Sequence, residues 1–271
     1  RTRATAVAGL DGTKRRYAKT ATGKSAAETP DGRRQTPRLV AENIVAGYGN
    51  QTVIDKVSVQ SHEGITCLFG PNGSGKSTLL KAIAGSVPVI SVTVKYGDRA
   101  ITNLEPHEIV EAGITTLPQD DYLFRNLTVR ENLQLGASVI DDKELVRERM
   151  AMVLEMFPPL AGSLSLKPPS LSGGQQVMLG VGRAMMTRAD VYLMDEPVSG
   201  LAPSVIDKVF DKFRTLVNRG TQIILVEQNV VEAMKLADHA YVLAEGQIQF
   251  DGHPEELTDE DEIVDLYLGL D

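Results

Sequence analysis

The stretch GPNGSGKST, residues 70–78, has the spacing G-x-x-x-x-G-K-[S/T], with the apolar segment GITCLFG leading into it and the helical pattern TLLKAIAG following. Gly70, Pro71, Asn72, Gly73, Ser74 and Gly75 form a loop whose backbone N–H groups, Pro71 contributing none, can curl around phosphate oxygens. The positive end of the following helix adds to that field. Lys76 then reaches the β- and γ-phosphates, Ser77 ligates Mg²⁺, and Thr78 closes the motif. The pattern predicts a nucleoside triphosphate site.

Three further stretches extend the chemistry. In VYLMDEP, residues 191–197, an apolar strand ends in Asp195, whose carboxylate can serve the same Mg²⁺ directly or through water. Glu196 follows as a second carboxylate, placed to polarise an attacking water. In LSGGQQ, residues 171–176, the Ser172 hydroxyl, the N–H groups of Gly173 and Gly174, and Gln175 at a helix start form a second anion-binding nest. P-loop kinases and small GTPases have no need of it. In IILVEQN, residues 223–229, a core strand runs straight into Glu227, Gln228 and Asn229. Asn229 with Glu232 reads as a capping box, whereas Gln228 has no such local role.

Together these motifs resemble the ABC ATPases, from about Leu39 to the end of the chain. In that family two subunits pair head to tail, and each Ser-Gly-Gly-Gln nest closes on the γ-phosphate held by the other. The resemblance therefore implies a homo- or heterodimer with two ATP and Mg²⁺. Gln119, in TLPQDD, matches the glutamine that contacts Mg²⁺ and links the nucleotide to the helical subdomain. Tyr48, in GYGN, lies where the family stacks an aromatic on adenine, or is simply a strand-end tyrosine. Ala202, in SGLAP, replaces a customary aspartate. Gln228 occupies the place of a switch histidine; it can donate to a phosphate oxygen but cannot carry a proton near pH 7, which leaves proton handling to Glu196. The catalytic set implied is thus Glu196, Lys76 and Gln228.

Within the family, SGLAP, LVEQN and the closing YLG resemble the ATPases of branched-chain amino-acid importers, with urea and short-chain amide importers as close relatives. The implied partners are a second ATPase subunit, membrane permease subunits and, indirectly, an external substrate-binding protein. The implied location is the cytoplasmic face of the membrane. Tyr122, Leu123, Phe124 and Leu127 either form the permease docking surface or pack under the helical subdomain. A non-transport ABC ATPase is the rival reading, but such proteins usually carry two cassettes or a long coiled coil. A non-hydrolysing subunit is a third, opposed by Lys76, Asp195 and Glu196.

The elements that must position these residues follow from the wider pattern. The chain has 271 residues, 42% apolar and 24% charged, with no apolar run near the roughly 18–20 residues of a membrane-spanning helix. Residues 1–38 hold ten Lys and Arg against Asp11, Glu28 and Asp31, so the rest is more acidic than the net charge of −8 suggests. Residues 1–37 are expected to be a basic disordered tail, solvated rather than an organelle transit peptide, and no nucleic-acid partner is expected. Residues 38–271 form the ATPase domain. Buried strands alternating with helices predict an α/β P-loop core with a mainly parallel sheet, preceded by an antiparallel β part. A helical subdomain is inserted at about 120–175, with Met150, Met152 and Met156 in its core and an Asp141-x-x-Glu144 cap on its long helix. Cys67, the single cysteine, is a core residue, and the four histidines have no metal-ligand spacing.

Overall fold

The computed structural model describes residues 37–257 apart from positions 50, 88, 120, 121, 188 and 229. The basic segment 1–36, the last fourteen positions with their YLG, and the Asn229 capping box lie outside the described residues.

Alternating patterns at the N-terminus give two ten-residue strands, β1 (Leu39–Tyr48) and β2 (Gln51–Gln60), paired antiparallel from Val40↔Gln60 to Tyr48↔Gln51. The buried run β3 (Ile65–Phe69) leads through the phosphate loop into α1 (Lys76–Ile83). Then come β4 (Val89–Tyr96), β5 (Arg99–Ala100), α2 (Pro106–Glu111) and β6 (Ile114–Leu117). The helical block comprises α3 (Val129–Gly136), α4 (Lys143–Met156), α5 (Pro158–Ala161) and α6 (Gly173–Met185). The chain closes with β7 (Val191–Asp195), α7 (Pro203–Val217), β8 (Gln222–Val226), α8 (Val230–Met234), β9 (His239–Ala244) and β10 (Gln247–Gly252).

Two sheets result. One is antiparallel in the order β2-β1-β4-β5; the other runs β10-β9-β3-β8-β7-β6, parallel from β9 to β6 with β10 as an antiparallel edge. The α/β expectation with its antiparallel N-terminal part is met. The hairpin partner β10 carries no strong apolar pattern, with burial alternating only between exposed and intermediate, and it was not anticipated.

Side chains of the parallel sheet alternate between two cores, as the period of two requires. Tyr192, Met194, Ile223, Leu225, Ala240 and Val242 face the helices α3 to α7. Val191, Leu193, Ile224, Val226, Tyr241 and Leu243 face α1 and the antiparallel sheet. Helix α1 is therefore clamped between the sheets, with Leu79, Leu80 and Ile83 all buried. Each such side chain contributes about 1.5–3 kcal/mol by leaving water. Cys67 is fully buried, and burial raises its thiol far above the ordinary value, as suits an inert core residue. Met156 is buried in the helical core, with Met150 and Met152 packed against it. One local expectation needs correction: the α4 cap is Asp142, whose side chain accepts from the N–H of Glu144 and Leu145. The helix starts one residue later than an Asp141 cap would allow.

Candidate active site

The carboxyl ends of β3, β7 and β8 lie side by side, since β3 pairs with β8 and β8 with β7, both in parallel register. Whatever follows those three strands must meet at one edge. After β3 comes the phosphate loop. Its glycines are sterically required: Gly70 has φ 149° and a Cβ there would lie 2.0 Å from the Leu243 carbonyl oxygen, while Gly75 turns into α1 at φ 107°. Lys76 is buried, and its Nζ donates to the carbonyl oxygens of Gly70 and Pro71 at 2.7 and 2.9 Å. Burial lowers its pKa, against the opposing charges of Glu196 and Asp195.

After β7 come the two carboxylates. Ser77 Oγ donates to Asp195 Oδ1 at 3.0 Å, which joins the loop to the strand end. Burial raises the Asp195 pKa; the Ser77 hydrogen bond works in the opposite direction. Glu196 is 6% exposed and has φ 46°, a left-handed backbone unusual for a residue with a side chain. Its N–H donates to Val226 O, so the strained turn is fixed to the end of β8. Two amides converge on its carboxylate: Gln119 Nε2 donates to Oε2 at 2.9 Å and Gln228 Nε2 to the same oxygen at 2.6 Å. The sequence separations are 77 and 32 residues. Gln228, inexplicable as a strand terminus, belongs to this cluster.

The residues present suit a nucleotide and a hard cation. Ser77 Oγ and Asp195 Oδ1 are oxygen donors side by side, the type that Mg²⁺ takes together with phosphate. The Ser74 hydroxyl, buried within the loop, has no hydrogen-bond partner, and a Cβ on Gly73 would meet nothing within 4 Å. Among the described residues no group of three or more His, Cys, Asp or Glu is placed to hold a metal ion. Tyr48 is 53% exposed and shares a cleft of about 390 Å³ with Lys81, Pro118 and Asp195.

Other predicted residues lie apart from this cluster. Ser172 caps α6: its Oγ accepts from Gln175 N–H while Gln175 Oε1 accepts from Ser172 N–H, a reciprocal box. Ser172 and Gly173 are exposed, and Gly174 and Gln175 are half-buried. A Cβ on Gly173 or Gly174 would meet Leu201 at 3.4 Å or Val205 at 2.7 Å, which places the nest against the SGLAP segment and the start of α7. Tyr122 and Leu123 pack against the helical core, whereas Phe124 is 48% exposed with the Arg183 guanidinium 5.2 Å from its ring centre.

Sequence reasoning assigned nothing to Glu227. It is 4% exposed, and burial pushes its carboxyl up to about 8. The available signal was an acidic residue continuing an apolar strand, IILV, without a break.

The ABC transporter family model matches residues 54–199. A probable branched-chain amino acid transport ATP-binding protein, LivF of Archaeoglobus fulgidus, is 39% identical over 83% of this chain and 96% of its own length. The high-affinity branched-chain amino acid transport ATP-binding protein BraG of Pseudomonas aeruginosa is 38% identical over 85% of this chain and 99% of its own. Among solved structures, an ATP-binding cassette of an ABC transporter in its ADP conformation superposes with a TM-score of 0.78 at 30% identity, covering 87% of this chain and 100% of that one.

Proposed function

The chain belongs to the family of ABC transporter ATP-binding proteins, which hydrolyse ATP, and on that premise we propose the motor subunit of an importer for branched-chain amino acids. The substrate reading is carried by one observation. The two relatives described above are 38–39% identical, nearly end to end, and both are named for branched-chain amino acid transport.

In the proposed mechanism the loop amides of residues 70–78 and the Lys76 ammonium hold the phosphates of ATP, and Tyr48 stacks on its base. Ser77, Asp195 and Gln119 would hold Mg²⁺, which when bound neutralises charge on the transferring phosphoryl group. Glu196 takes a proton from the attacking water. Gln119 and Gln228 both occupy Oε2, so they fix the carboxylate plane and leave Oε1 free of either amide to accept that proton. The nest at Ser172, Gly173, Gly174 and Gln175, exposed at Ser172 and Gly173, serves a second subunit, packed head to tail, in which it completes the other ATP site. No helix among the described residues is long and apolar enough to cross a membrane. The proposed place of work is the cytoplasmic face of the membrane, through permease subunits docked near Gln119 and Phe124, with an external binding protein as indirect partner.

The test is transport. Permease subunits co-purified with this chain from membranes, reconstituted in vesicles, are expected to take up labelled leucine in an ATP-dependent manner. Uptake of urea or acetamide in preference to leucine would reassign the substrate, and absence of any co-purifying permease would remove the importer reading.

A further inference from the structure

We propose that Asn132 is a positioning residue for partner docking: its buried side-chain amide fixes the backbone of Phe124, so that an exposed aromatic ring is held ready as the anchor for a membrane permease subunit. Helix α3 buries Val129, Asn132 and Leu133 on one face, each at 0% exposure, so Asn132 is a polar residue in an apolar row. Its Oδ1 accepts from the Phe124 N–H at 2.9 Å, and its Nδ2 donates to the Phe124 carbonyl oxygen at 3.0 Å, a reciprocal pair. Nδ2 also reaches the carbonyl oxygens of Leu127 at 3.1 Å and Thr128 at 2.9 Å. The turn between them is closed by the Leu127 N–H, which donates to Phe124 O at 3.0 Å. The Phe124 ring is held separately, by the Arg183 guanidinium 5.2 Å from its centre.

Burying an amide among apolar side chains lowers stability unless it is fully hydrogen-bonded. Leucine, of the same branched shape, would pack there without that requirement. What only an amide adds is a donor and an acceptor side by side, which pairing with both backbone groups of one residue demands. That residue is Phe124, 48% exposed, which with Tyr48 makes the two exposed aromatic side chains among the described residues. Its neighbours Leu123 and Arg125 line a cleft of about 250 Å³, lined also by Gln119 and Gln176. A fixed aromatic ring beside a cleft has the form of an interface anchor. Aromatic side chains dominate binding energy, and a ring already held in place loses little freedom on docking. The occupant is a permease subunit because both relatives described above are named as transport ATP-binding proteins.

The proposal rests on the importer reading, and the experiment separates the two. Full-length parent and variants are titrated against the permease subunits that co-purify with the parent from membranes, held in nanodiscs. Phe124→Ala is expected to raise Kd about tenfold or more. Asn132→Leu is expected to raise it about tenfold while the Kd for ATP stays within about twofold. The double variant is expected to bind no more than about twofold weaker than Phe124→Ala alone, because without the ring nothing is left to position. The chain carries no tryptophan, so Phe124→Trp places a single indole at the anchor, and adding Asn132→Leu is expected to lower its fluorescence anisotropy in the free chain. Unchanged permease affinity in Phe124→Ala or Asn132→Leu overturns the proposal, as do additive losses in the double variant or an unchanged anisotropy. If Asn132→Leu does not fold, Asn132→Ser takes its place under the same criteria; failure of both to fold assigns Asn132 to stability alone and overturns the proposal equally. A parent chain that binds no permease removes the importer reading and this proposal with it, whereas a bound parent with indifferent variants removes this proposal only.

Discussion

A glutamate held at φ 46° carries backbone strain of order 1–3 kcal/mol. The strain persists because Val226 O, Ser199 N–H and two glutamine amides hold Glu196 on every side. Glu196→Gln keeps the shape and the backbone but cannot take a proton. Hydrolysis is expected to fall by about 10²–10⁴-fold, the usual worth of a general base, while ATP still binds and accumulates on a dimer. Single-turnover hydrolysis with size analysis in ATP reads both, and undiminished turnover would overturn the base assignment. Gln228→Ala removes one of the two donors to Oε2. A hydrogen bond to a charged group contributes about 1.5–3 kcal/mol, so kcat is expected to drop at least about tenfold with ATP affinity little changed. An unaltered rate would leave Gln228 a strand-end residue. Lys76, Ser77, Asp195 and Glu196 were legible because their motifs are local. That Gln119 and Gln228 share one oxygen was not, since residues 109 positions apart meet only through the sheet.

Helix α6 contains glycines at its interior, a poor choice by propensity alone. Packing explains them: a Cβ at Gly180 would lie 2.5 Å from the ring of Tyr122, and one at Gly182 would lie 2.8 Å from Val153 Cγ1. The helix is thinned so that the Tyr122 ring can lie against it. Gly180→Ala gains about 1 kcal/mol of helix propensity yet must push the Tyr122 ring aside. We expect net destabilisation of about 1–3 kcal/mol, typical of overpacking, seen as a lower urea midpoint. A raised midpoint would mean that Tyr122 moves freely. Helix α7 has the converse defect. Ala202 stands at its N-cap with φ −68°, ψ 144° and no side-chain cap. Ala202→Asp is expected to add about 1 kcal/mol by capping, and so to raise Tm by about 2–4 °C for a domain of this size. An unchanged Tm would show that the first turn of α7 is already satisfied. The departure at Ala202 was plain in SGLAP; the tight seating of Tyr122 was not, because nothing local distinguishes a packing glycine from a flexible one.

At the scale of the molecule, the two sheets are joined on the side away from the candidate site by residues with no common motif. Three of the four histidines, separated by up to 191 positions, gather there. The His62 and His239 rings stack with centroids 3.5 Å apart, His253 stands edge-on to His239 at 6.4 Å, and His62 Nε2 lies 3.3 Å from the Tyr241 hydroxyl. His239 pairs with Asp251 at 2.7 Å. His62 follows β2, whereas the others belong to β9 and the segment after β10, so the cluster fastens the antiparallel sheet to the parallel one. Burial, and then the neighbouring His239, lower the His62 pKa from 6.5 to about 4. The unfolded chain therefore binds more protons than the folded one between about pH 6.5 and 4, and stability must rise with pH across that window. The contribution is complete above about 6.5 and is lost as pH falls toward 4. Glu227 acts with the opposite sign: its folded pKa is raised from 4.5 to about 8, so its contribution is present below about 4.5 and is lost as pH rises toward 8. A single melting curve against pH mixes the two, and the difference between parent and variant separates them. His62→Asn is expected to lose stability at pH 7 but to flatten the dependence between 6.5 and 4, whereas Glu227→Leu is expected to flatten the fall between 4.5 and 8. Melting temperatures at half-unit steps of pH would decide the point. Parallel curves for parent and His62→Asn below pH 6.5 would mean that the histidine stack holds the sheets together without its protonation being linked to folding.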